Sequence, residues 1–121
     1  MTAETNWSAI VDELAERTER GELTWTATSE ERSWPDDLTS AIFVAQVDGW
    51  RVRVFEYRTR YYFEMDRSEV VRAVDVTIES SDSGVEWTVP DRGHAPALLD
   101  TIRRRLARAD DFAHAVTAAA I

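Results

Sequence analysis

The sequence contains no cysteine and no lysine, and it has only four glycines, three prolines and two histidines. Without cysteine, disulfides, thiolate nucleophiles and cysteine-bound metals are excluded. Two histidines are too few for an ordinary metal site, so no metal is expected. We expect no other cofactor either. The longest apolar run, residues 41–45, is far shorter than the roughly 20 residues of a membrane helix. We therefore expect no membrane span.

The remaining composition is that of a globular chain. The 121 residues are 44% hydrophobic and 31% charged, which predicts a single domain over residues 1–121. Residues 1–7 show neither a basic region nor an apolar stretch, so the default location is the cytoplasm. The formal net charge of -9 repels phosphate backbones, which argues against nucleic acid as a partner.

Sequence motifs for catalysis are missing. There is no glycine-rich phosphate loop, no H-E-x-x-H pair and no G-x-S-x-G elbow. Asp110 and His114 would share a helix face, but they supply too few ligands for a metal, and a surface histidine is the favoured interpretation. The acidic pairs in residues 30–37 are interpreted as a solvated loop. We predict that the protein is not an enzyme.

The first third of the chain predicts a helix, a strand and a loop. Asn6 suits a helix N-cap, apolar side chains then recur at helical spacing, and Gly21 suits the helix end, so a helix is expected over residues 7–20. Alternating apolar residues predict a strand over 22–28. Residues 29–38 form a polar loop that carries Trp34.

Two hairpins are predicted. Asp48-Gly49 lies between the alternating runs 39–47 and 50–57, which is typical of a two-residue type I′ turn. The turn sets the register and turns one apolar face toward the core. In this first hairpin the expected pairs are Val47 with Trp50, Ala45 with Val52 and Phe43 with Val54. The second hairpin is expected over 73–80 and 85–89, and its pairs are Ser80 with Val85, Ile78 with Trp87 and Val76 with Val89. In that second register Glu79 faces Glu86, at a mild electrostatic cost.

The segment between the hairpins is ambiguous. Residues 58–60 are either a turn or a continuing strand, and 61–65 are strand-like. Residues 67–72 are either a short helix or extended, because Asp66 to Glu69 have the spacing of a capping box. Trp25, Trp50 and Trp87 are expected on core faces.

The end of the chain predicts two helices. Pro96 suits a first helical turn, and an apolar stripe ends at Leu106. Asp110 or Asp111 caps a last helix. The fold class is therefore α+β: an N-terminal helix, an antiparallel β-meander of five to six strands, and two C-terminal helices packed on the sheet. The arginines at 103, 104, 105 and 108 are explained better by the helix macrodipole than by a phosphate site.

The candidate binding residues are Arg51, Arg53, Phe55 and Tyr57 on the sheet face away from the predicted core, together with Trp34. Interleaved arginine and aromatic side chains can bind a protein or stack nucleic-acid bases. The alternative is that helices cover this face and the arginine stems lie over it. Trp34 is the one tryptophan that is a candidate exposed anchor.

The layout resembles a diffuse group of small prokaryotic helix–β-meander–helix proteins. The residues that carry this resemblance are Gly21 to Trp25, Val76 to Glu79, Trp87 to Pro90 and Leu98 to Ile102. The resemblance implies the fold and brings no catalytic residues with it. If residues 67–72 are helical, the topology is also similar to that of type III secretion chaperones.

Three functions stay open. The first is a non-enzymatic interaction module of the adaptor, chaperone-like, immunity or antitoxin type, with a protein partner or a homodimer. The second is a binder of, or enzyme for, a small anionic ligand in a sheet–helix pocket, held by Arg51, Arg53 or Arg58. The third is single-stranded nucleic-acid binding on the same sheet face.

Overall fold

The computed structural model describes residues 4–28, 38, 41–65, 67–91 and 93–119. Five strands form one sheet in the order β1-β2-β3-β4-β5, and each neighbouring pair is antiparallel. The predicted α+β class is confirmed. The elements are α1 (Trp7–Glu19), β1 (Thr26–Thr28), β2 (Ile42–Val47), β3 (Trp50–Glu64), β4 (Arg67–Ser80), β5 (Glu86–Thr88), α2 (Ala95–Leu106) and α3 (Ala109–Ala119).

The limits of α1 follow from its predicted caps. The Asn6 side chain accepts a hydrogen bond from Ala9 N at 3.1 Å and so satisfies an orphan donor of the first turn. Gly21 follows the helix at a φ of +76°, where a side chain would be strained. A Cβ there would also lie 2.6 Å from Arg105 Nη2. The Arg105 guanidinium is the end of a flexible side chain and can move aside, so it is the positive φ that favours glycine at this position.

The strand registers agree with the sequence predictions. Phe43 pairs with Val54 in the first hairpin, and Ile78 pairs with Trp87 in the second. The turn type is different, because Asp48 has a φ of 52° whereas Gly49 does not lie in the left-handed region. A type I′ turn needs positive φ at both residues, so that part of the prediction is wrong.

The ambiguous segment is extended throughout. Residues 58–60 continue β3, and 67–72 belong to β4, so the short helix does not form. The helix-dependent order shared with secretion chaperones is therefore not the observed order. The predicted strand over 22–28 is shorter, since β1 comprises only its last three residues.

Helices α1 and α2 cover one face of the sheet. The main core joins Val11, Leu98 and Ile102 of these helices to strand residues such as Val54 and Val76. Trp25 is buried in it, but Trp50 and Trp87 are about half exposed, which corrects their predicted place in the core. The Trp87 ring instead lies at the edge, with its centroid 5.0 Å from that of Trp7.

The two C-terminal helices differ in packing. Ala95, Leu98, Leu99 and Ile102 of α2 are buried, whereas Leu106 at its end is exposed. Helix α3 contacts α2 and is exposed from Asp110 onward over its described side chains. Helix α2 thus packs against the sheet together with α1, and α3 extends beyond it.

Candidate protein-interaction surface

Strands β3 and β4 continue well beyond their neighbours. On one side, the last contact is an isolated bridge between Leu38 and Tyr57. On the other side, the last hydrogen bond runs from Val89 N to Val76 O at 2.8 Å. Past these points, the two strands pair only with each other within the described ranges. This projection, here called the ribbon, comprises residues 58–64 and 67–75 and is roughly 20 Å long.

Large apolar side chains are exposed near the end of the ribbon. Tyr62 is 72% exposed, Val70 is 53% exposed, and Met65 in the turn is fully exposed. Tyr62 pairs with Ser68, so Tyr62 and Val70 lie on the same face. Single exposed apolar residues are ordinary, but a group at a projecting end is a candidate contact surface.

The same face of the ribbon is cationic. Arg58 lies directly opposite Arg72, and Arg60 lies opposite Val70. Arg60 Nη1 donates a hydrogen bond to Ser68 Oγ at 2.8 Å, which holds its guanidinium on this face. A protein with a net charge of -9 thus presents three arginines beside exposed apolar groups. Arginine and aromatic residues are enriched at protein interfaces.

Arg53, a predicted binding residue, is buried. Its Nη1 donates to Glu79 Oε2 at 2.8 Å and to Glu86 Oε2 at 3.0 Å. Only 6% of the Arg53 side chain is exposed. The like-charged pair Glu79–Glu86 is therefore bridged by a cation from the next strand. Arg53 stabilises the sheet and is not part of the exposed surface.

Phe55 and Tyr57 lie on the same sheet face as Arg53. Phe55 is fully buried, and its ring centroid lies 6.1 Å from that of Tyr57. Tyr57 is half-buried and hydrogen-bonded to Asp75; burial, with the Asp75 charge, raises the pKa of Tyr57 to about 12. Burial also raises the pKa of Asp75. Tyr57 is therefore protonated, and its hydroxyl donates to the Asp75 carboxylate.

The five predicted binding residues do not form one exposed patch. Arg53 and Phe55 are buried on the sheet face opposite the helices, together with Ile42 and Thr77, so the helices do not cover this face. Arg51 is exposed at the start of β3, and Trp34 lies outside the described residues.

The exposed groups Met65, in the turn of the ribbon, and Val70 were not predicted as site residues. A sequence signal for them existed. No glycine, proline or asparagine interrupts residues 50–65, so β3 can run without a break. The predicted strands 39–47 and 85–89 already end near the base of the ribbon; what the sequence does not show is that residues 58–64 and 67–75 pair with each other beyond them.

Two arginine side chains of α2 pair with acceptors in the same chain. Arg105 Nη1 donates to Glu19 O at 3.0 Å and so caps the end of α1, while Arg104 pairs with Asp110 at 3.3 Å. These side chains, with Thr101, line a cleft between the helices. Since both cations already have acceptors, the cleft is a poor match for an anionic ligand.

A second apolar surface lies on α3. Phe112 is 70% exposed and Val116 is 52% exposed, with Leu106 of α2 nearby along the chain. An isolated helix of this length is marginally stable in water. This surface lies on a helix that packs against α2, so it is less directly connected to the sheet than the ribbon is.

His94 connects the two main helices. Its Nδ1 lies 2.7 Å from Asp12 Oδ1, and this hydrogen bond raises the pKa of His94. Next to it, Asp91 Oδ2 accepts a hydrogen bond from Ala95 N at 2.6 Å and caps α2. The pair ties the start of α2 to α1.

We expect the stability of the protein to fall with rising pH because the His94–Asp12 hydrogen bond weakens when His94 loses its proton. A histidine whose pKa is higher in the folded than in the unfolded protein contributes its full stabilisation below the unfolded pKa of about 6.5. That stabilisation is lost as the pH rises through the folded pKa. The melting temperature of wild type should therefore fall more than that of Asp12→Asn between about pH 5.5 and 8.5. Asp100→Asn, an exposed change on α2, is the control and should follow wild type. Equal pH slopes for all three proteins would contradict the prediction.

Comparisons with known protein families, curated proteins and solved structures found no match for this chain. Among the residues that the structure describes, no helix is long and apolar enough to cross a membrane. Over the same residues, no cluster of three or more acidic or histidine side chains is placed to hold a metal ion.

Proposed function

We propose that this protein is a non-enzymatic interaction module, of the adaptor, chaperone-like, immunity or antitoxin type, that binds a partner protein through the ribbon. The observation that carries the proposal is the exposure of Tyr62, Met65 and Val70 at the end of a projecting two-stranded element. We keep the cytoplasm as the proposed location.

The proposal is supported by the way the ribbon is attached. Its base is held by the buried Arg53 cluster and by the Tyr57–Asp75 hydrogen bond, so the projecting part starts from a rigid sheet. A preformed contact surface loses less conformational entropy on binding than a flexible one does.

An anionic-ligand site is the alternative, and it is less well supported. Arg53 is already held by two carboxylates. Arg51 lies on the same sheet face as Arg53, opposite the helices, whereas the predicted pocket lies between the sheet and the helices. Single-stranded nucleic-acid binding has the further disadvantage of the net charge of -9.

A paired capture experiment tests the proposal. Tagged wild type and Tyr62→Ser/Met65→Ser are used as baits, captured proteins are identified by mass spectrometry, and an identified partner is then purified and titrated. We expect the double variant to weaken binding by at least about tenfold, since exposed aromatic and thioether groups at an interface centre carry much of its energy.

The matched control is Phe112→Ser/Val116→Ser, which removes two exposed apolar side chains from α3 instead. Partner affinity should be retained in this variant. If the α3 variant loses the partner and the ribbon variant keeps it, the ribbon is not the contact surface. If purified wild type binds no protein and turns over a substrate, the non-enzymatic proposal is wrong.

A further inference from the structure

We propose that the outer edge of β4, residues 67–75, pairs antiparallel with the same edge of a second copy of this chain, with Val71 on the two-fold axis. The inference rests on the proposed function, because it names a partner for the same ribbon. The result would be a continuous four-stranded ribbon with one sheet body at each end.

The backbone of this edge is directed outward. Val76 O accepts from Val89 N, so the polar backbone groups of residue 76 point away from β3. In an antiparallel strand the direction alternates from residue to residue. The N–H and C=O groups of residues 68, 70, 72 and 74 therefore also point outward, with no backbone partner among the described residues. Such an edge is a template for another strand.

The two ends of the open edge define the register. It begins at Arg67 after the turn and stops at Asp75, because Val76 is already bonded to Val89. The complete edge overlaps with its copy only when Val71 lies opposite itself. In that register residue 68 pairs with 74 and residue 70 with 72, which gives about eight backbone hydrogen bonds.

The charges fit the same register. Arg67 lies opposite Asp75 of the partner subunit, and the symmetry makes this pair twice. Asp75 is half-buried and accepts from Tyr57, and no cation pairs with it among the described residues. The partner's Arg67 would supply that cation.

Other registers are worse. A shift by one residue places residues whose backbone groups point outward opposite residues whose groups point toward β3, so the hydrogen bonds between the two β4 strands cannot form. A shift by two residues that centres Arg72 places Arg72 opposite its copy and Glu69 opposite the partner's Asp75, and both pairs are like-charged. A shift that centres Val70 loses both Arg67–Asp75 pairs and shortens the overlap.

Sedimentation of the purified full-length protein tests the dimer. Over about two decades of protein concentration, wild type should pass from the monomer mass to twice that mass. Arg67→Glu should raise the dimer Kd about tenfold or more, because two attractive pairs become repulsive. A protein that stays monomeric over the whole range overturns the inference.

Arg51→Glu is the matched control for charge and fold. Arg51 faces Glu79 across β3 and β4, just as Arg67 faces Glu64, so both changes create one like-charged pair within the chain. Arg51 is far from the proposed interface, so the dimer Kd of the Arg51→Glu variant should stay within about threefold of wild type. Equal weakening by both variants overturns the inference.

The absence of cysteine permits a direct test of the register. Val71→Cys should form an intermolecular disulfide under mild oxidation, because opposed residues in a non-hydrogen-bonded pair have Cα atoms about 4.5 Å apart. Ala73→Cys, on the same face, is the control and should not cross-link, since its copy lies more than about 10 Å away. Equal cross-linking at both positions overturns the proposed register.

The outcomes separate this inference from the proposed function. A monomer that still captures its partner through Tyr62 and Met65 rejects the β4 dimer and leaves the interaction module in place. A dimer with the Val71 cross-link but no other protein partner supports the inference and rejects the hetero-partner.

Discussion

Replacing Arg53 by methionine will destabilise the protein by about 3 kcal/mol, at the lower end of the range for breaking a buried ion pair. The guanidinium is buried and bonded to both Glu79 and Glu86. Without it, the two carboxylates face each other across β4 and β5 and lose the Arg53 guanidinium that bridges them. They keep partial solvent access, at 25% and 28% exposure, and this limits the loss.

The free energy of unfolding from urea titrations, followed by circular dichroism, measures this effect. Arg51→Met is the matched control, because Arg51 lies two residues earlier on the same face but is exposed; it should cost less than about 0.5 kcal/mol. Adding Glu79→Gln and Glu86→Gln to Arg53→Met should recover most of the loss. If Arg53→Met and Arg51→Met cost the same, the buried cluster does not support the fold.

Replacing Thr18 by valine will cost about 1–3 kcal/mol, although the side chain keeps its shape. Thr18 Oγ1 accepts a hydrogen bond from Trp25 Nε1 at 2.9 Å and donates to Leu14 O at 2.7 Å. Thr18 is fully buried and Trp25 is 5% exposed. Valine removes the acceptor and leaves the indole N–H buried without a partner, which is the expensive outcome for a hydrogen bond.

A double-mutant cycle with Trp25→Phe separates the hydrogen bond from packing. Thr18→Val should cost much less in the Trp25→Phe background, since no indole N–H then needs an acceptor. Thr101→Val is the matched control: Thr101 Oγ1 also donates to the carbonyl four residues earlier, Ala97 O at 3.0 Å, but it serves no tryptophan. A coupling energy near zero would show that the Thr18–Trp25 contact contributes nothing.

The location of the proposed interaction surface depends on strand lengths that the sequence left open. The chain around residues 58–72 is compatible with a turn, a short helix or a long hairpin, and the uninterrupted run 50–65 favours the long strand without determining it. The structure extends both strands past β2 and β5, and this exposes Tyr62, Met65 and Val70. Exposure here depends on where the neighbouring strands stop, which is a tertiary property.

The sequence by itself determined the features that depend on near neighbours along the chain. Asn6 and Gly21 limit α1 through their own backbone and side-chain chemistry. The hairpin registers follow from short connections and from apolar alternation, which is why Phe43–Val54 and Ile78–Trp87 pair as expected. The α+β class follows from the order of these elements.

Only the tertiary structure decided which faces are buried. Arg53 and Phe55 have the pattern of an exposed binding face, yet both are buried, whereas Trp50 and Trp87 lie half exposed at the edge of the predicted core. Alternation assigns a side chain to a face, but burial depends on what packs against that face from elsewhere in the chain. The pairing of Glu79 with Glu86 shows the same limit: it is a repulsion within one hairpin, and Arg53 from the next strand converts it into a bridged cluster.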